Sequence, residues 1–405
     1  MAQVFKKLRA WFEGFGITLL VLWSVLFLAV FATSMCGPAL PYLVRDFIAE
    51  EAVVVAMIGY LSSARNLSST IASSVSGVFA DKSGKRNVIL ASLCLTPIAF
   101  LLYSFSKDLC WVFVATLILG FFHGFSNPQF KALFVDLAPR TSMAMVFAFF
   151  NLSWILAEIP APILGGFLSD VFNTKLPFIV AFGISVIALL IFVKGFKSMK
   201  DQTKIEPSNS SSMTDDSESQ RPHGQVLIVF CLVSLLLGLG DGILMPIITA
   251  FLMFRLGTSS IEMGIAFSVA YGLLMALSQV PGAKIADKFG KKSIIIICIL
   301  VATPLSLLLP FTLSLMPFVV ILGLNNFIGY LWSPAFSAWI ADKMGVDARG
   351  KAFGFTSASY GTGTIVGPAI GGLLWTLFYP NTFLPFMTGT IPFFLIIPLI
   401  ILLKE

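Results

Sequence analysis

Twelve long apolar runs follow one another along this chain, each bounded by turn residues, and this constrains the fold more than any single motif. A hydrocarbon core takes about 20 mostly apolar residues per helical crossing. In that solvent every backbone N–H and C=O has to be satisfied by the protein itself, so runs of this length favour helices. The apolar runs and turn signals predict helices over 15–44, 52–80, 87–106, 109–137, 143–170 and 176–195, then over 225–254, 260–286, 293–312, 315–342, 350–377 and 382–403. Of 405 residues 57% are hydrophobic and 11% charged, which excludes a water-soluble enzyme, a disordered chain and a nucleic-acid-binding domain. An all-α membrane protein with twelve transmembrane helices is expected.

Between the sixth and seventh runs the composition changes. Residues 197–223 (KSMKDQTKIEPSNSSSMTDDSESQRPH) are Ser-rich and charged, and cannot bury enough surface to offset the entropy of ordering them. The chain therefore divides into an N-terminal six-helix bundle over 1–196, a linker over 197–223 and a C-terminal bundle over 224–405. Of the 26 Lys and Arg residues, 21 fall on the side that holds both termini and the linker. Only Arg45, Lys107, Lys175 and Arg255 fall on the other side, with Arg65 inside a helix. By the positive-inside rule both termini and the linker are cytoplasmic, in a plasma or inner membrane. The first run, behind Lys6, Lys7 and Arg9, is too long for a signal peptide and lacks a cleavage site, so it is expected to be retained as a helix. The five cysteines are odd in number, without a Cys-x-x-Cys, and predict neither a disulfide framework nor a metal site.

A shift of 206 residues superimposes the two halves. It pairs Ala80 with Ala286, Asp81 with Asp287, Lys82 with Lys288, Gly84 with Gly290 and Lys85 with Lys291. The same register pairs Pro128 with Pro334, Asp136 with Asp342, Pro162 with Pro368, Gly165 with Gly371 and Gly166 with Gly372. Matches of Pro, Gly and Asp at one offset in three separate regions identify duplicated, parallel, pseudo-symmetric units.

The repeated loop has a recognisable form: Gly77-Val78-Phe79-Ala80-Asp81-Lys82-Ser83-Gly84-Lys85-Arg86, with a copy at Ala283-Lys284-Ile285-Ala286-Asp287-Lys288-Phe289-Gly290-Lys291-Lys292. The chain thereby resembles the major facilitator superfamily, whose loop between the second and third helices of each half reads Gly-x-x-x-Asp-[Arg/Lys]-x-Gly-[Arg/Lys]-[Arg/Lys]. Gly84 and Gly290 suit a tight turn with positive φ. Asp81 ends a helix where it can face the N-terminus of a helix in the other half, and Lys85 and Arg86 can pair with Asp136. The resemblance implies a cytoplasmic gate made of Gly77, Asp81, Gly84, Lys85, Arg86, Asp136, Asp287, Gly290 and Lys291; a solvated turn obeying the positive-inside rule is the plainer alternative. A second family pattern, Gly-x-x-x-Gly-Pro-x-x-Gly-Gly, stands in the eleventh helix as Gly363, Gly367, Pro368, Gly371 and Gly372. The fifth helix carries a weaker copy in Ala157, Ala161, Pro162, Gly165 and Gly166, with alanine for two glycines. Small residues four apart let another backbone approach closely. In the family this pattern in the fifth helix resembles a mark of antiporters, and simple helix packing is the alternative.

Ionisable residues at bilayer depth are functional hypotheses by default. Arg65 falls in the second helix, His123 in the fourth, Glu158 in the fifth and Asp241 in the outer part of the seventh. The resemblance implies that the first, fourth, seventh and tenth helices line a central cavity, which would bring His123, Asn127, Asp241, Asn325 and Asn326 to a substrate. Tyr330, Trp332 and Met35, with Met245 and Trp154, would suit an apolar or amphipathic ligand there; as core or lipid-facing residues they need no further role. Glu158 is the first candidate for proton coupling, because a low dielectric pushes a carboxyl toward its neutral form; Asp241 is the second. The alternatives are a Glu158–Arg65 ion pair that only ties helices together, an Asp241 in an unwound, hydrated segment, and a packed His123.

These expectations converge on a secondary transporter working by alternating access, not an enzyme. It is expected to export a small organic or amphipathic compound against protons, with no cofactor beyond the proton gradient, as a monomer partnered by lipid and substrate and not by nucleic acid. The drug-efflux branch typically has an arginine in the fourth helix before a Gln-Gly pair; Leu117–Gly124 here has none. A sugar or metabolite importer or uniporter is the nearest alternative, and a non-transporting receptor or lipid-handling protein a distant one.

Overall fold

The computed structural model describes residues 17–137, 143–202 and 224–403 of the chain. The helices are α1 (Ile17–Cys36), α2 (Ala39–Arg45), α3 (Glu51–Ser83), α4 (Lys85–Ser104), α5 (Leu109–Leu137), α6 (Met143–Glu158), α7 (Pro160–Val171) and α8 (Leu176–Gln202). The second half contributes α9 (Gly224–Ala250), α10 (Ser260–Phe267), α11 (Met275–Phe289), α12 (Lys291–Leu308), α13 (Leu315–Leu331), α14 (Ser333–Lys343), α15 (Gly345–Phe378) and α16 (Phe383–Leu402). Adjoining pieces combine into single crossings: α1 with α2, α6 with α7, α10 with α11 through a π-turn at Ser268–Leu274, and α13 with α14. Proline lies at the joints Pro38, Pro160 and Pro334, where its missing N–H leaves the helical ladder open. The result is an all-α membrane protein of twelve crossings, in the order read from the sequence. The region assigned to the linker lies outside the described residues from 203 to 223, and α8 runs on to Gln202.

Eleven crossings are long and apolar enough to span a membrane on their own composition. The exception is α3, whose 33 residues are rich in Ser. Its polarity is absorbed by other helices. Ser68 Oγ donates to the Leu117 carbonyl at 2.8 Å, Ser76 Oγ to that of Phe125 at 2.6 Å, and Gln129 Nε2 to Ser76 Oγ at 2.9 Å. Gly120 and Gly124 of α5 then sit directly on the α3 backbone at Arg65 and Ser69, so any side chain there would collide with main chain. Inter-helix hydrogen bonds and close backbone approach replace the hydrophobic effect, which has no purchase between helices in lipid.

The glycine pattern does the same work twice. Gly165 abuts the α1 backbone at Met35, within its own bundle, while Gly166 abuts Ser260 and Ile261 at the start of α10, in the other bundle. Gly371 likewise abuts Ile243 of α9 within its bundle, and Gly372 abuts Val55 and Ala56 of α3 across the interface. Gly363 and Gly367 extend the α15 contact along α9, and Pro162 and Pro368 face Gly264 and Gly59 across the interface. Each glycine pair thus joins its helix to one neighbour inside the bundle and one outside it. Apolar clusters fill each bundle, around Phe122, Phe134 and Phe149 in the first and Phe251, Phe318 and Trp375 in the second.

Candidate functional site

One cavity of about 410 Å³ opens beside the centre of the C-terminal bundle, with Ser62, Arg65 and Asn66 of α3 closing it from the other bundle. That volume suits a small organic ligand. Asp241 lines it from α9, where Gly240 and Gly242 flank it. Both glycines are needed by the packing: a side chain at Gly240 would strike the Phe393 ring and one at Gly242 would strike Gly367 and Pro368. The helix is continuous through this stretch, so Asp241 is held by a regular backbone and not by an unwound one. Tyr360 of α15 donates its hydroxyl to Asp241 Oδ2 at 3.0 Å. Tyr271 and Tyr330 complete a trio of tyrosines lining the same cavity. Asn325 is anchored, its Nδ2 donating to the Ala302 carbonyl at 2.6 Å and to Ser306 Oγ at 2.8 Å, whereas Asn326 Nδ2 is buried without a partner among the described residues.

Arg65 faces the same cavity and makes no hydrogen bond or ion pair among the described residues. No ion pair joins it to Asp241 or Glu158 among the described residues. The Glu158–Arg65 pair weighed from the sequence is therefore not formed. Glu158 ends α6 and does not line the cavity; its carbonyl instead packs by Gly272 of the other bundle. Asp241, Asn325, Asn326, Tyr330 and Trp332 come together as the sequence reading grouped them, but three members of that group do not. His123 and Asn127 face a separate space of only about 10 Å³, which Phe122, Phe130 and Trp154 also line, and Met35 is fully buried in the core. Tyr271, Tyr360, Ser62 and Asn66 were missed. Their only sequence signal was polarity within an apolar run, which many lipid-remote packing residues share.

At the end of the molecule bearing the lysine-rich loops, the basic end, the two repeats coincide. Gly84 and Gly290 have φ of 87° and 86°. Lys85 Nζ lies 2.7 Å from Asp136 Oδ2, and Lys291 makes the equivalent pair with Asp342. Arg86 does not join Asp136; its Nη2 is buried without a partner among the described residues. Asp81 is exposed and unpaired among the described residues, while the Asp287 side chain lies outside them. Gly77 on α3 and Gly354 on α15 both look into open space.

The opposite end is shut. Asp170, closing α7, accepts the backbone N–H groups of Ser260 and Ile261 at 3.0 and 2.7 Å, so its carboxylate sits on the positive end of α10. Tyr42 donates to the Thr258 carbonyl at 2.5 Å, Tyr379 to Glu51 at 3.1 Å and Thr376 to the Ala52 carbonyl at 3.0 Å. Deeper in, the Ala369 N–H donates to Ser63 Oγ at 3.0 Å and Asn66 Nδ2 to the Thr364 carbonyl at 2.7 Å. Among the described residues these are the hydrogen bonds between bundles, and none lies on the basic side of Asn66.

This geometry has relatives. Multidrug resistance protein 1 of Bacillus subtilis (strain 168) is 22% identical over 368 residues, covering 90% of this chain and 91% of the relative. The class H tetracycline resistance protein of Pasteurella multocida is 28% identical over 343 residues, covering 84% of each. Among solved structures, a bacterial homologue of the human lysosomal transporter Spinster, in its inward-facing and occupied conformation, superimposes with a TM-score of 0.78 at 14% identity, covering 95% of each chain. The Major Facilitator Superfamily model matches residues 22–222 and 230–405. A pair of bundles so matched, hollow at one end and sealed at the other, makes this multi-pass membrane protein a transporter of the Major Facilitator Superfamily.

Proposed function

We propose that this transporter exports small organic or amphipathic compounds in exchange for protons, with Asp241 as the group that carries the proton. The carrying observation is that Asp241 is the acidic residue on the wall of the central cavity, where proton and substrate would compete for one carboxylate. Tyr360 holds that carboxylate in place and can keep its hydrogen bond, with donor and acceptor exchanged, once Asp241 is protonated. Glu158, outside the cavity, is the secondary candidate. The resistance proteins among the relatives support the outward direction.

On this reading the basic end faces the cytoplasm together with both termini, and residues 197–223 link two bundles, 1–196 and 224–405, that rock about the cavity in a monomer. The cytoplasmic side is then open and the outer side locked by Asp170 on α10. Closure of the cytoplasmic side would bring Asp81 to the N-terminus of α15 as Asp170 leaves α10, exchanging one capped helix for another at small net cost.

Purified protein in sealed vesicles tests the coupling. An outward-directed solute flux that rises with an imposed pH gradient, and that Asp241→Asn reduces to passive exchange, is expected; flux indifferent to the gradient removes proton antiport. A cysteine placed at the C-terminal tail, labelled by an impermeant maleimide in intact cells, would reverse the orientation. A second reading, an importer or uniporter for a hydroxylated metabolite, is favoured by the hydrogen-bonding groups Asn325, Asn326, Tyr271, Tyr330, Ser62 and Asn66 around the cavity, more than the sequence led us to expect. Gradient-independent solute counterflow would select it.

A further inference from the structure

We infer that the ligand of this cavity is bipolar, a zwitterion whose anionic group rests on Arg65 and whose cationic end rests against Asp241. The inference deepens the reading of the cavity as the transport site and rests on it. Its first support is the unpartnered guanidinium. A charge at bilayer depth is costly unless something compensates it, and the Arg65 side chain, facing the cavity, has no carboxylate and no acceptor among the described residues. An anionic ligand group supplies the missing partner, and the planar guanidinium is shaped to take a carboxylate or phosphate through two parallel hydrogen bonds.

The second support is the opposite wall. Asp241 spends one oxygen on Tyr360 and leaves the other to the cavity. Tyr271, Tyr330, Trp332 and Phe393 share that wall. A carboxylate among aromatic faces is the chemistry that recognises an ammonium group, by charge and by the negative ring faces together. Arg65 and Asp241 line the same cavity from different bundles and form no ion pair among the described residues, so the two charges are not neutralised as a pair.

The third support is connectivity. Arg65 belongs to the N-terminal bundle and Asp241 to the C-terminal one. A bipolar ligand therefore bridges the two moving parts, whereas a singly charged one is held by a single bundle. Bridging ties occupancy to the relative position of the bundles, which is what a ligand needs in order to bias a conformational equilibrium.

The test is binding to the full chain in lipid nanodiscs, by calorimetry, of three rigid probes sharing one scaffold: para-(N-methylpiperazinyl)benzoic acid, its methyl ester and para-morpholinobenzoic acid. The first carries both charges, the second only the cation, the third only the anion. The zwitterion is expected to bind at least about tenfold tighter than either analogue. Arg65→Gln should lower its affinity to that of the ester without changing ester binding, and Asp241→Asn should lower it to that of the morpholine acid. Arg65→Lys should recover part of the loss, which separates a charge contact from a folding defect. Ester binding as tight as the zwitterion's, no zwitterion binding, or equal losses for all three probes in Arg65→Gln would overturn the proposal. If the charge dependence holds while vesicle flux ignores a pH gradient, proton antiport fails and this inference stands; proton-coupled flux with no charge preference gives the reverse.

Discussion

Beside Asp241 the C-terminal bundle keeps a cavity of about 410 Å³, whereas the N-terminal bundle leaves about 10 Å³ beside His123. The 206-residue register that aligns the loops pairs Gly329 with His123 and Tyr360 with Trp154. An imidazole and an indole thus take the room that a glycine and a slimmer phenol leave open. His123 and Trp154 lie 6.1 Å apart, centroid to centroid. The frame is duplicated, in the turn glycines, the Lys–Asp pairs and the glycine contacts, but the centre is not. Duplication preserves what any six-helix bundle needs to pack, and a site arises where the copies are free to differ.

Substitutions can break or sharpen that comparison, beginning with the frame. Gly124→Leu drives a side chain into the Ser69 backbone; a loss above about 4 kcal/mol is expected, read as absence of a monodisperse peak in size-exclusion chromatography. Gly77→Leu, facing open space, should fold normally yet slow turnover by obstructing closure at the basic end.

The next substitutions address the filled and hollow centres. Trp154→Ala should cost about 3 kcal/mol of stability by leaving a void, with ligand affinity unchanged, in chemical unfolding and calorimetry. Tyr360→Phe should do the reverse, weakening ligand binding about tenfold through the freed Asp241 while stability moves little. Equal effects of both on binding would mean that the N-terminal pocket also holds ligand.

Smaller effects are expected at the ends. Asp170→Asn keeps an acceptor but removes the charge from the start of α10, and should favour opening of the sealed end by about 1 kcal/mol. Accessibility of a cysteine introduced near Thr258 measures it. The matching position in the register is Thr376, a neutral donor to Ala52, whose replacement by Val should matter less. Least of all, Lys85→Ala and Lys291→Ala remove exposed pairs worth about 0–1 kcal/mol each. A larger effect on thermal stability for either would mark its loop as more than a surface contact.

Much of this was legible before any coordinates. The helix order followed from apolar runs read against turn signals, α3 included, although the composition of α3 alone falls short of a crossing. The positive φ at Gly84 and Gly290 and the Lys85–Asp136 pair are local or nearly so, within one repeat. The cavity was half legible. Asp241, Asn325, Asn326, Tyr330 and Trp332 line it, but His123, Asn127 and Met35 were assigned by helix number alone, and helix number does not tell which face is turned inward or how much volume the neighbours fill. Tyr271 and Tyr360 escaped notice because a tyrosine in an apolar run is indistinguishable from packing until its hydroxyl has a partner.

The amino-acid order by itself determined the solvent, the number of crossings, the duplication and the turns between helices, because hydrocarbon thickness and glycine φ act on short stretches of chain. Only the tertiary structure decided that a cavity opens beside Asp241 and closes up beside His123, that Asp170 rather than Asp81 caps a helix here, and that Arg65 lines the cavity of Asp241 without a partner among the described residues. Those outcomes depend on which side chains from distant segments meet, and on how much room each leaves the next.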